Sequence, residues 1–232
     1  MHWFYDPSLS AETATLPSAE VQHAKSLRIR MGEEISLTNG AGLVARAQVL
    51  SEAPFEFSIS HSERFEQAKF RFHLIQALAK NDRDELALQA AVELGASQIT
   101  PWQSARSIVR WDGKEEKNKA RWQQIALEAM KQSQQPYLPS VNPVTKTKDL
   151  KVTDGIGLVL DPRAKNSLSD IEFESGLVTL VVGPEGGISL EELGLLEANG
   201  FTPVRLGASV LRASTAGPAA IAAISALTGN WN

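Results

Sequence analysis

The chain has 232 residues, of which 43% are hydrophobic and 22% charged, with a formal net charge of −4 and no cysteine. That length suits one large domain or two modest ones, and the lack of cysteine excludes disulfides, thiol nucleophiles and Cys-based zinc sites. No apolar run reaches the roughly 20 residues needed to span a bilayer. Met1-His2-Trp3-Phe4-Tyr5-Asp6-Pro7 also lacks a basic stretch followed by an apolar one, so a cytoplasmic location without a membrane partner is expected.

The four histidines (His2, His23, His61 and His73) have no metal-ligand spacing and read as surface or satisfied structural residues, with no metal expected. Charge is unevenly placed. Residues 1–66 carry five Lys/Arg against nine Asp/Glu, residues 103–151 ten against five, and residues 152–232 four against nine. A basic middle between acidic flanks fits a phosphate footprint. Lys114-Glu115-Glu116-Lys117-Asn118-Lys119 mixes both signs, however, so charge alone favours a solvated helix face.

In chain order, a helix is predicted from Ser18, as its cap, to Arg30. Glu34–Thr38 and Leu43–Leu50 flank the turn signal Asn39-Gly40-Ala41-Gly42 and read as a hairpin, and Phe55–Ser60 alternates as a further strand. The polar segment His61–Lys69 marks a boundary, which places a small β-rich module over residues 1–66 and a second domain over 67–232. In the second domain strands alternate with helices. Phe70–Ala79 is strand-like, and Asn81 can cap a helix with Leu86, Ala87, Ala90, Ala91 and Leu94 on one face, closed by Gly95. Ser97–Trp102 is a short strand. A long helix with Trp122, Ile125, Ala126, Ala129, Met130 and Ser133 in period follows, stopped before Pro136. Gly155–Leu160 and Leu177–Val182 are apolar runs of the kind buried on both faces of a parallel sheet. The succession predicts an α/β domain with a mostly parallel sheet flanked by helices.

Two glycine turns carry the chemistry. Val181-Val182-Gly183-Pro184-Glu185-Gly186-Gly187 leads into a helix specified by the capping box Ser189/Glu192, with Ile188 and Leu193 as the hydrophobic staple. About twenty residues on, the strand Val204-Arg205-Leu206 is broken by Gly207. A last helix then places Ala216, Ala219, Ala220, Ala223, Ile224 and Leu227 on one face. Pro218 has no N–H to give and is expected in the first turn, which puts the cap at Ser214 or Thr215 and Arg212 in the loop before it. Backbone without Cβ atoms at a helix start can approach a ligand closely and present N–H groups. Neither turn matches a Walker-type or dinucleotide phosphate grip, nor a serine nucleophile elbow. From the residues alone, the expectation is a small-ligand site at the carboxyl ends of parallel strands.

The GPEGG turn and the later LG-x-x-x-LR-x-x-TA segment resemble the bacterial 16S rRNA uracil-N3 methyltransferases, a branch of the SPOUT superfamily. The resemblance extends over nearly the whole chain. It includes His23–Glu33, similar to that family's PUA-like N-terminal module, and Glu93-Leu94-Gly95-Ala96, Ile99-Thr100-Pro101, Gln132-Ser133, Leu138-Pro139 and Asp161-Pro162-Arg163-Ala164. It implies a PUA-like β-barrel followed by a trefoil-knotted sheet, and a homodimer. S-adenosylmethionine would be held mostly by backbone from Leu160, Asp161 and Pro162, from Gly183, Pro184, Glu185, Gly186 and Gly187, and from Leu206, Gly207, Val210, Leu211, Arg212, Ala213, Thr215 and Ala216. The implied reaction is methylation of N3 of a uridine in the decoding region of 16S rRNA within the small ribosomal subunit. Arg212 and Ser214 are the implied catalytic positions, and Lys25, Arg28, Arg30, Lys80, Arg83 and Arg106 the candidate RNA contacts. No metal is implied.

The chain departs from the family pattern at several places. Ser214 stands where a Glu is frequent, Gln134-Gln135 follow where an Arg is usual, Lys131 replaces an acidic residue, and the N-terminal Arg is missing. Two rival readings follow: the same fold acting on another RNA acceptor (a ribose 2′-hydroxyl or a tRNA base), and a non-catalytic RNA-binding ribosome assembly factor.

Overall fold

The computed structural model describes residues 1–11 and 13–231. The chain forms two compact units, one of residues 1–67 with 130–138, the other of residues 68–129 with 139–232.

The first unit is built on a four-stranded sheet of β1 (His2–Tyr5), β2 (Glu34–Thr38), β3 (Leu43–Glu52) and β4 (Phe55–Arg64), in that order. β1 joins β2 in parallel and the remaining pairs are antiparallel. The β2–β3 hairpin forms where the Asn-Gly turn predicts it. Asn39 Oδ1 accepts the N–H groups of Ala41 and Leu43, and Gly40 and Gly42 take the positive φ the turn needs. Along β3, Ala45, Ala47 and Val49 are buried and Arg46, Gln48 and Leu50 exposed, the period of a strand with one covered face. The core gathers Phe4, Ile35, Leu37, Ala45 and Val49 with Ala24 of α1 (Ser18–Ser26).

Three expectations shift in this unit. α1 has Pro17, not Ser18, at its cap and ends at Ser26, because Arg28 turns into the left-handed region at φ 57°. β4 continues to Arg64, through half of the segment expected as a polar boundary. β1 had no sequence signal. Residues 130–138 supply Lys131, whose Nζ lies 2.8 Å from Glu20 Oε1 with both side chains buried. Glu20 thus gives Lys131 a partner where the family pattern would place an acidic residue.

The second unit is a six-stranded sheet ordered β10-β8-β9-β5-β6-β7, with every pairing parallel. Its strands are β5 (Phe70–Ala77), β6 (Ala96–Trp102), β7 (Ser140–Val141), β8 (Ile156–Leu160), β9 (Gly176–Val182) and β10 (Phe201–Val204). From β5 the chain builds outward through β6 and β7, then returns to the other side for β8 and β9. The order therefore reverses between β5 and β9, where ligand crevices form in open parallel sheets. α2 (Arg83–Glu93) and α5 (Ala213–Thr228) pack on one another and on β5, and α4 (Leu190–Ala198) contacts β10. Ile75, Val159 and Val181 form a core with Trp102, Ile188, Leu196 and Phe201. Each such side chain contributes roughly 1.5–3 kcal/mol by leaving water. In α3 (Glu115–Gln132), Trp122 meets the loop residue Trp111 edge-on, with ring centroids 5.2 Å apart.

The helices keep their predicted order but not every predicted face. α2 follows Asp82, with Asn81 and Asp82 both left-handed and neither side chain capping. Asp84 instead folds back to accept from the N–H groups of Ala79 and Glu85. Leu86 is exposed while Leu88 and Val92 are buried, and Leu227 of α5 is exposed while Ile221 is buried. Alanine-rich helices define their apolar stripe weakly, so the larger side chains set the rotation. β10 ends at Val204, before the expected Arg205-Leu206.

Candidate active site

Loops at the carboxyl ends of β5, β6, β8, β9 and β10 line one cavity of about 540 Å³ in the second unit. Its wall contains Leu160, Asp161 and Pro162 after β8, Gly183, Pro184, Glu185, Gly186 and Gly187 after β9, and Val210, Leu211, Arg212, Ala213 and Ala216 around the start of α5. A smaller cavity of about 60 Å³ shares Leu160, Asp161, Pro162, Val210, Leu211 and Ala216, and adds Leu206 and Gly207. Ser214 and Thr215 line neither.

The β9–α4 turn owes its shape to its composition. A Cβ on Gly183 would come within 2.7 Å of Ile188 Cγ1, and Gly187 sits at φ 69° with its N–H on Pro184 O. The Ser189/Glu192 capping box forms as expected. Glu185 Oε1 accepts from the Lys80 N–H at 3.3 Å and from Arg83 Nη1 at 3.2 Å, so this carboxylate joins the turn to the segment after β5.

Asp161 is buried, and the half-exposed Arg163 grips both its oxygens at 2.8–3.2 Å. Burial alone would raise the Asp161 carboxyl. Its hydrogen bonds to the Arg163 side chain and backbone, with the opposite charge, outweigh that and hold it below its ordinary value. Arg163 also donates to Ile188 O at 3.0 Å, bolting the end of β8 to the end of the glycine turn.

The segment after β10 is different. Among the described residues, Leu206 to Leu211 make no hydrogen bond, and Gly207 to Arg212 are exposed. α5 begins at Ala213 with Arg212 as its cap residue, not at Ser214 or Thr215, and no side chain caps it. Pro218 is the sixth helical residue, so the Ser214 carbonyl lacks the N–H partner an interior residue would have. The Thr215 and Ala216 N–H groups bond Arg212 O, and among the described residues those of Ala213 and Ser214 have no partner.

Four arginines (Arg83, Arg106, Arg163 and Arg212) share the wall with two carboxylates, Glu185 and Asp161. Both carboxylates are paired, with Arg83 and Arg163. Among the described residues, Arg106 donates to Gly186 O at 2.9 Å and has no acidic partner, and Arg212 has neither an ion pair nor a side-chain hydrogen bond. Of the candidate RNA contacts, Arg83 and Arg106 thus stand on this cavity, while Lys80 is exposed beside it in sequence. Lys25, Arg28 and Arg30 line a separate opening of about 270 Å³ in the first unit, with Arg30 paired to Glu52. Among the described residues, no cluster of metal-capable side chains forms. His73 is satisfied by Thr100 Oγ1 at 2.7 Å, and burial lowers its pKa to about 4. Sequence reasoning missed Arg163, Ile188 and Val182 as wall residues. The first of these had a local signal in its place two residues after Asp161.

Residues 66–225 match the family model of the RNA methyltransferase domain, and residues 16–55 that of the RNA methyltransferase PUA domain. A ribosomal RNA small subunit methyltransferase E from Mycobacterium tuberculosis is 36% identical over 243 residues, covering 99% of this chain and 93% of that protein. A ribosomal RNA small subunit methyltransferase E from Neisseria gonorrhoeae, solved bound to S-adenosyl methionine, superposes with a TM-score of 0.89 at 34% identity, over 98% of each chain. A Legionella pneumophila methyltransferase in complex with the same cofactor gives 0.89 at 27% identity, over 97% of each. The chain belongs to the ribosomal RNA small subunit methyltransferase E family of rRNA methyltransferases.

Proposed function

We propose that this protein transfers a methyl group from S-adenosylmethionine to N3 of a uridine in the decoding region of small-subunit rRNA. The supporting observation is the 540 Å³ cavity, walled largely by turn backbone at the carboxyl ends of β8 and β9 and at the start of α5. That volume lies within the roughly 300–1,000 Å³ of small-molecule sites. The cofactor supplies an electrophilic methyl on a sulfonium. The protein's own part is positional and electrostatic. Gly183 and Gly187 let the main chain approach, the Asp161–Arg163 pair keeps two sides of the cavity in register, and the Ala213 and Ser214 N–H groups at the start of α5 remain to be used.

The uridine must leave its stack to present N3. Its N3 proton passes to water before attack, which puts negative charge on the uracil oxygens; N3 would then bond the methyl carbon as the methyl–sulfur bond breaks and S-adenosylhomocysteine leaves as the neutral thioether. Arg212, on the wall without a partner of its own, holds that charge. Ser214 lies off the wall and is assigned no chemical step. Lys25, Arg28 and Arg30 hold RNA backbone at the first unit. We further propose a homodimer in the cytoplasm.

The test is mass mapping of rRNA after purified protein and S-adenosylmethionine are added to small subunits from a strain lacking the gene. Gain of one methyl group on a uridine base is the expected result. Gain on a ribose hydroxyl would move the acceptor, and no gain would overturn the proposal.

A further inference from the structure

The buried carboxylate of Glu192 makes four hydrogen bonds, divided evenly between two neighbourhoods. Oε2 faces its own helix start and takes the Ser189 N–H at 3.4 Å and Ser189 Oγ at 3.2 Å. Oε1 faces away and accepts the Ala105 N–H and the Thr147 hydroxyl, both at 2.7 Å. Thr147 Oγ1 in turn receives the Trp102 indole N–H at 3.1 Å, which leaves its own proton for Glu192. The short, charge-assisted bonds are therefore those to Ala105 after β6 and to Thr147 after β7, and the capping bonds are the long ones. A residue serving only as a cap would show the reverse.

Ala105 precedes Arg106, whose Nη1 bonds Gly186 O, and a Cβ on Gly186 would stand 3.3 Å from Arg106 Cβ. The segment 103–112 is braced from its own side as well, since Gln103 Oε1 accepts the Trp111 N–H and Gln103 Nε2 donates to Asp112. Arg106 is thus an exposed guanidinium on a braced segment, with one donor committed and no carboxylate beside it. With Arg212 it leaves the cavity two positive charges in excess of its carboxylates.

The geometry points to Glu192 as a positioning residue that seats Arg106 on the glycine turn so that its guanidinium receives a phosphate of the RNA substrate. The inference rests on the proposed RNA substrate. Solvent exposure favours RNA phosphate over the cofactor carboxylate, because a rim guanidinium meets a polyanion arriving from outside.

Binding of labelled small-subunit rRNA and of S-adenosylhomocysteine would be measured for the wild type and for R106A, E192A, the double variant and S189A. R106A and E192A are each expected to weaken RNA binding about tenfold, with the double variant no worse than R106A alone. E192Q, whose amide oxygen can still accept from Ala105, should recover most of the loss. S189A, which breaks only the cap, should lower the melting temperature and leave RNA affinity unchanged. Additive losses, or equal losses in S189A and E192A, would overturn the inference. So would weakened homocysteine-product binding with RNA binding intact, which would assign Arg106 to the cofactor carboxylate. Should E192A not fold, amide exchange in the wild type decides: the Ala105 N–H must exchange far more slowly than that of its exposed neighbour Arg106, and equal rates overturn the inference. Wild-type protein that binds no small-subunit RNA overturns the functional reading as well, whereas wild-type binding without this pattern overturns the inference alone.

Discussion

The two turns that wall the cavity are made in opposite ways. Between β9 and α4, the side chains of Glu185, Arg106, Arg163 and Glu192 tie the turn to the ends of β5, β6 and β8. Between β10 and α5, Leu206 to Leu211 make no hydrogen bond among the described residues, and from Gly207 on they lie exposed. One wall is finished before any ligand arrives. The other has donors and acceptors to spend on a ligand, and its order has to come from what binds. Substitutions at Glu185 and Arg163 in the first should therefore act on stability and cofactor affinity, and substitutions in the second on turnover.

The largest expected effect tests the second wall. Arg212→Ala should lower turnover about a hundredfold to a thousandfold, with unfolding free energy changed by less than about 0.5 kcal/mol. Steady-state kinetics beside urea denaturation check both halves, and a large stability loss would break the contrast.

Acid tests the sheet beneath both walls. His73 is neutral when folded, with a pKa of about 4 against 6.5 in the unfolded chain. The unfolded state therefore binds the extra proton first, and stability falls as the pH drops from about 6.5 to about 4. The loss attributable to this residue approaches about 3 kcal/mol. The difference between wild-type and His73→Gln denaturation curves across that range isolates it, and parallel curves would rule it out.

Next is the bolt of the first wall. Arg163→Ala leaves the buried Asp161 without its partner, and a loss of about 2 kcal/mol is expected after allowing for the solvent exposure of Arg163. Cofactor affinity should fall with it, as calorimetry would record. Because Asp161 is held below its ordinary pKa, this contribution is complete above that value and disappears as the pH falls through the lowered one. The smallest effect is Ser189→Ala, expected to cost about 1 kcal/mol through the helix cap. Ser209→Ala in the second loop should cost almost nothing.

Much of this was legible in the residues. The hairpin at Asn39-Gly40, the alternation of β3, the apolar runs of β8 and β9 and the Ser189/Glu192 box all depend on residues a few positions apart. The cavity wall contains most of the positions expected for a cofactor, because glycine turns mark where backbone can come close to something else. The cap of α5 was expected at Ser214 or Thr215, not at Arg212, because the start of the helix was inferred from a proline rule. That rule puts Pro218 in the first turn, whereas α5 begins at Ala213 and holds Gly217 and Pro218 buried in its second turn.

Chain-local chemistry, with periods of two and 3.6 and the conformational demands of glycine, proline and caps, was enough to specify most of the elements, their order and the two glycine turns, though not β1 or β7. Folding had to bring together residues distant in sequence before the rest existed. The Ala105–Glu192 and Glu20–Lys131 contacts span 87 and 111 residues. No pattern within one element encodes such a pair, since each partner alone reads as an ordinary surface charge or cap. The parallel order β10-β8-β9-β5-β6-β7 supplies the distances, and with them the difference between a finished wall and an open one.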